Sequence, residues 1–164
     1  MEIRNATMDD LQAIAAVEAA CFPAAEAATA EEFAGRLAHY ADHFWLLFEQ
    51  GELVAFVDGF CTDMPDLTDE MYADAALHDE GGAWQMIFGV NTLPEYRRRG
   101  LAEQLLRRAI ADAQAQGRQL DNDIFIRACI VGGAGDHQAA KEGGAGTQGQ
   151  QHQVHLADTA EEEI

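Results

Sequence analysis

The sequence predicts a single α/β (α+β) domain, and three observations carry that expectation. Two early segments open with helix-capping residues, a hairpin pattern rich in aromatic and β-branched residues follows, and a later strand breaks at proline before a long amphipathic helix. A chain of 164 residues fits one domain and is long enough to bury about two-thirds of its unfolded surface without a disulfide or metal staple.

Residues 2–6 read as a short first strand. Thr7 and Asp10 form a capping-box-like start, and Leu11, Ile14, Val17 and Cys21 give a helical stripe that Pro23 ends. Thr29 and Glu32 form a second capping box, leading a helix whose face carries Phe33, Leu37 and Tyr40. Residues 44–49 and 52–62 read as a hairpin, with Gln50-Gly51 as the tight turn. An acidic loop over 63–82 holds one short helix near 69–73. Residues 84–93 read as a fourth strand, broken by Pro94-Glu95, and 100–116 as a strong helix with Leu101, Leu105, Ala109 and Ile110 facing inward. Gly117 stands where a C-cap glycine belongs, and 124–131 read as a fifth strand. From Gly132 the composition changes: seven of the 15 glycines fall in 132–149, among Gln and Ala. The expected organisation is a domain over 1–131 and a polar tail over 132–164 that buries too little apolar surface to order itself.

Charge narrows the function classes. Residues 1–90 hold 18 acids against two bases, whereas 91–118 hold six arginines against three acids. The net charge of −19 repels nucleic acid and anionic membranes. Arginines gathered inside such a body suggest a local anion site. The start lacks a signal-peptide pattern and no apolar run reaches membrane-helix length, so a cytoplasmic location is expected. Cys21, Cys61 and Cys129 form no C-x-x-C pair and read as free thiols. The histidines His39, His43 and His78, or His137, His152 and His155, fall in no familiar metal spacing, so no metal is expected.

The chemistry concentrates between Val90 and Ala102. A strand enters a turn and the turn opens a long helix, whose first N–H groups lack intrahelical partners and form an anion site with the helix dipole. Gly100 lets a phosphate approach the backbone, Ala102 keeps the next turn slim, and Arg97, Arg98 and Arg99 add forked donors.

Arg97-x-x-Gly100-x-Ala102 resembles the (Q/R)-x-x-G-x-(G/A) signature of the GNAT superfamily of N-acetyltransferases, and Leu93-Pro94-Glu95-Tyr96 is similar to the approach that precedes it. The resemblance covers about residues 1–131 and implies a mixed central sheet flanked by helices, with the family's C-terminal helix and strands missing or replaced here. It implies acetyl-coenzyme A as co-substrate, with its pyrophosphate on the backbone of Arg98, Arg99, Gly100, Leu101 and Ala102. It further implies pantetheine pairing with Val90 and Thr92, and a Val90 or Asn91 N–H polarising the thioester. A small-molecule or protein amine then attacks directly, without a cysteine relay, and a homodimer is one possible assembly.

Two departures from the family stand out. Its usual strand-borne acid or base positions are Met86 and Phe88 here, which take no proton. The base must come from elsewhere, with Glu18, Asp66, Asp69 and Glu70 as candidates, through water, or arrive as free amine. No tyrosine follows Tyr96, so a proton donor falls to Tyr72, Tyr40 or a partner subunit. The alternative reading is a non-catalytic acyl-coenzyme A binding module.

Overall fold

The computed structural model describes residues 1–120. Strand β1 (Glu2–Asn5) leads through a short turn into α1 (Leu11–Cys21), and α2 (Ala30–Tyr40) follows. Strands β2 (Phe44–Glu49) and β3 (Glu52–Asp58) form the hairpin, and Gln50 and Gly51 both take positive φ at its turn. Next come β4 (Cys61–Thr62), α3 (Asp69–Ala73), β5 (Trp84–Gln85), β6 (Gly89–Thr92), α4 (Leu101–Ala115) and β7 (Gln119–Leu120).

Two sheets result, ordered β1-β2-β3-β6 and β4-β5-β7. All pairings are antiparallel except β5 with β7. Neighbouring residues of a strand point to opposite faces, and this sorts the helices. Phe44 and Phe56 meet Phe33 of α2, while Trp45 donates its indole N–H to Asp112 of α4 at 2.8 Å. Helices α1 and α2 therefore cover one face and α4 the other. The core between them includes Ile14, Leu46, Phe56 and Leu105, all fully buried.

The expected fourth strand over 84–93 is corrected: it is two strands, β5 and β6, and the hairpin strand over 52–62 breaks opposite it into β3 and β4. Register gives the reason. Gln85 lies opposite Cys61 but Gly89 lies opposite Asp58, so the 85–89 side holds one residue more than the 58–61 side. That is a β-bulge, and it bends the strand. Helix α4 ends as read from sequence: Gly117 has φ +75°, and Arg118 and Gly117 N–H groups bond back to Ala113 and Gln114, closing the last turn. Among the described residues no helix is long and apolar enough to cross a membrane. The expected strand over 124–131 and the tail over 132–164 lie outside the described residues.

Candidate active site

The bulge sets which groups β6 offers. Leu93 N–H bonds Val54 O at 2.9 Å. Hydrogen-bonded pairs alternate along an antiparallel ladder, so Asn91 faces Phe56 with its backbone groups while Val90 and Thr92 turn theirs outward. Of the two N–H groups expected to polarise a thioester, Val90's points away from the sheet and Asn91's points into it. The outward Thr92 carbonyl accepts from Arg97 Nε at 3.2 Å and from the Cys21 thiol at 3.3 Å.

Beyond β6, a turn over Pro94–Tyr96 delivers the chain to α4. Arg98 and Gly100 both adopt the left-handed region, φ +63° and +72°, and no side chain caps the helix at Gly100. The three arginines part company here. Arg97 holds the Thr92 carbonyl; Arg99 forms a forked bond to Glu49 at 2.8 and 2.9 Å and lies over the Tyr96 ring. Arg98 is exposed and has no partner among the described residues. Leu101 is buried and Ala102 half-buried beneath this end.

On the α1–α2 face of the bulge sits a buried polar cluster. Asn91 donates its amide to Glu18 of α1, and Glu18 also accepts from Ala28 N–H at 2.9 Å. The amide oxygen Oδ1 of Asn91 is buried and has no partner among the described residues. Asp58 is 1% exposed; Arg36 of α2 donates to its Oδ2 at 3.2 Å. A Cβ built on Gly89 would stand 2.5 Å from Asp58 Oδ1 and 3.4 Å from Asn91 Oδ1, so only glycine lets the backbone lie this close to the Asp58 carboxylate, which its N–H helps to hold. Burial pushes the Asp58 carboxyl up to about 6, against the pull of Arg36, and the Glu18 charge adds to the rise. Tyr40 completes the surroundings: its hydroxyl is buried without a partner among the described residues, and burial raises its pKa.

The candidates named from sequence separate accordingly. Glu18 is buried and joined to Asn91, and Tyr72 packs its ring 4.9 Å from Phe88 while its carbonyl accepts from Arg36. Asp66 lies exposed in the loop, and Asp69 and Glu70 lie exposed on α3. Met86 and Phe88 are buried, as their apolar character requires. Asp58, the acid opposite the bulge, is not among the sequence candidates because it ends an otherwise apolar strand; an acid on the inward face of such a run is the signal that points to it.

The model of the acetyltransferase (GNAT) family matches residues 11–126. Among solved structures the chain is similar to the GphF GNAT-like decarboxylase in complex with isobutyryl-CoA, with 29% identity and a TM-score of 0.63 over 69% of this chain and 59% of that one. It is also similar to the loading GNATL domain of CurA from Lyngbya majuscula, with 24% identity and a TM-score of 0.65 over 73% of this chain and 62% of that one. A third likeness is the ribosomal-protein-S18-alanine N-acetyltransferase from Escherichia coli, with 18% identity and a TM-score of 0.55 over 79% of this chain and 74% of that one. The matched region spans about three-fifths of the first two structures' length. No curated protein matches.

Proposed function

The chain belongs to the acetyltransferase (GNAT) family, and on that premise we propose that it transfers the acetyl group of acetyl-coenzyme A to an amine by direct attack. The observation that carries the amine is the buried pair on neighbouring strands, the Asp58 carboxyl and the Asn91 Oδ1 that has no partner among the described residues. An unpartnered buried acceptor calls for a donor, and an amine N–H would supply one close to a carboxyl that can take its proton.

The binding half fits a pyrophosphate. Among the described residues the α4 end has no side-chain cap and Arg98 has no partner beside it, and Gly100 keeps the approach free of a Cβ. Outward backbone groups of Val90 offer pantetheine an edge to pair with. In the reaction the amine nitrogen attacks the thioester carbonyl, Val90 N–H stabilises the oxyanion, and Asp58 takes the amine proton. The C–S bond then breaks, and the thiolate leaves with a proton from a tyrosine, Tyr40 or Tyr72, or from water. A cytoplasmic location and a small or protein-borne amine belong to the same reading, and the acidic N-terminal half suits a cationic one.

A second reading rests on the 29% identity to a GNAT-like decarboxylase. In that case a carboxylated acyl thioester loses carbon dioxide and the carbanion takes a proton from the Asp58 carboxyl. One experiment separates the two. Full-length protein is given acetyl-coenzyme A with an amine panel, then malonyl-coenzyme A without amine, and thiol and carbon dioxide release are followed. Amine-dependent thiol release supports the transferase. Carbon dioxide release without amine supports the decarboxylase, and neither, with coenzyme A still bound, leaves a binding module.

A further inference from the structure

A second cluster of chemistry-bearing side chains lies at the other end of the bulged strand, apart from the acyl-coenzyme A site. His43 precedes β2, Cys61 opens β4 and His78 follows α3, and the fold gathers them although 18 and 17 residues separate them in turn. One ligand atom from each lies within 4.8 Å of the others. His43 is 2% exposed and Cys61 fully buried, so these are not surface residues that happen to meet.

The hydrogen bonds around the cluster already orient both rings. Gln85 donates its amide N–H to Phe60 O and Met86 O, at 3.3 and 3.0 Å, which fixes its oxygen toward His43. His43 Nδ1–H donates to that oxygen at 2.7 Å, and Nε2 is left facing the cluster. His78 Nδ1 accepts from Cys61 N–H at 3.1 Å, which puts the ring proton on Nε2, where Glu80 accepts it at 3.0 Å. His43 thus has one nitrogen inward and the other tied to an acceptor, the arrangement that holds metal-ligating histidines in place, whereas the His78 lone pair meets Cys61 N–H in a bond that a metal would have to replace. Glu80 Oε2 also lies 2.9 Å from His43 Nε2, and its side chain is 65% exposed, so it stands over the cluster as a ready fourth ligand on the solvent side.

We propose that His43, Cys61 and His78, with Glu80 as the fourth ligand, bind one divalent transition metal ion of the zinc class. Two imidazoles and a thiolate are borderline-soft donors that suit Zn²⁺ or Co²⁺ and exclude Mg²⁺ and Ca²⁺, which want oxygen. Four ligands with no open position make a structural rather than a hydrolytic centre. The ion ties the segment between β4 and β5 to the sheet. Through Glu80, which also holds Arg118 at the entry to β7, it braces the parallel strand pair. Cys61 gives up its thiol proton on binding, so affinity rises with pH.

The test uses the full chain, stripped of metal by chelator and titrated with Zn²⁺ and with Co²⁺. One equivalent is expected, and the Co²⁺ form should show a thiolate-to-cobalt charge-transfer band in the near ultraviolet. Cys61→Ser should remove the band, and Cys61→Ser or His43→Gln should weaken Zn²⁺ binding more than about 100-fold. Melting of the metal-free variants close to the metal-free parent confirms that they fold. A parent that takes up no Zn²⁺ overturns the proposal. So does binding that survives both substitutions, as it would if His137, His152 and His155 were the ligands. If both variants fail to fold, the half-buried His78 is changed to Gln in their place: a weakened or shifted charge-transfer band supports the site and an unchanged one sinks it.

Discussion

At the start of α2, Thr29 Oγ1 accepts from Glu32 N–H at 3.2 Å and Glu32 returns a bond to Thr29 N–H at 2.7 Å. At the start of α4 there is a left-handed glycine and, among the described residues, no side-chain cap. Both helices carry the same unsatisfied N–H groups and the same dipole. One end is satisfied from within the chain and contributes to stability; the other has no side-chain cap among the described residues. A capping box is built at α2 and omitted at the end of β6, and the proposed function assigns the uncapped end to an anion.

Substitutions at the two ends should therefore separate binding from stability. The largest effect is expected from Gly100→Glu, which puts a side chain and a negative charge where phosphate approaches. Calorimetry should show coenzyme A binding lost while far-UV dichroism stays near the parent's. Retained affinity in a folded variant would break the contrast between the helix ends. Next in size is Asp58→Asn, expected to lower turnover by about 10²–10⁴-fold. With the Asp58 carboxyl pushed up to about 6, the parent's rate should rise as the carboxyl loses its proton and level off above that pH. The Asn variant should instead keep rising toward the amine's own pKa of ~10. A parent profile without the inflection would remove Asp58 from the mechanism.

Thr29→Ala comes third. Losing the cap should cost about 1 kcal/mol of stability by denaturant melting, with coenzyme A affinity unchanged. The smallest effects sharpen the comparison within the arginines. Arg98→Ala should weaken coenzyme A severalfold, whereas Arg99→Ala should hardly change it, because Glu49 already engages that guanidinium. Equal losses in titrations of the two variants would mean that Arg99 leaves Glu49 when the cofactor arrives.

The helix ends were legible in the sequence because capping is local: Thr29 with Glu32, and Gly100 with Arg97 and Ala102, fall within a turn or two of chain. The hairpin was legible for the same reason, through Gln50 and Gly51. The bulge was not. A strand read by alternation puts Met86, Phe88, Val90 and Thr92 on one face. The extra residue changes the parity, so Met86 lies opposite Phe60 while Gly89 and Asn91 lie opposite Asp58 and Phe56. Glu18 could be named as a candidate, but its bond to Asn91 crosses 73 residues, and no local pattern records that. The meeting of His43, Cys61 and His78 is hidden likewise, since a metal spacing is a local motif and these residues come from three separate elements.

A phosphate-binding protein usually meets its ligand faster in dilute buffer, because a basic surface draws anions in. The α4 end is instead a small attraction set in a chain of net charge −19, with 18 acids in residues 1–90. At 0.01 M salt the Debye length is ~30 Å, so an approaching polyanion feels the acidic body before it feels the helix. At physiological ionic strength that reach shrinks to ~8 Å, and only the surroundings of Arg97, Arg98 and Arg99 still act on it. Added salt should therefore speed the arrival of coenzyme A, and its association rate becomes a gauge of how far the uncapped helix end stands apart from the rest of the surface.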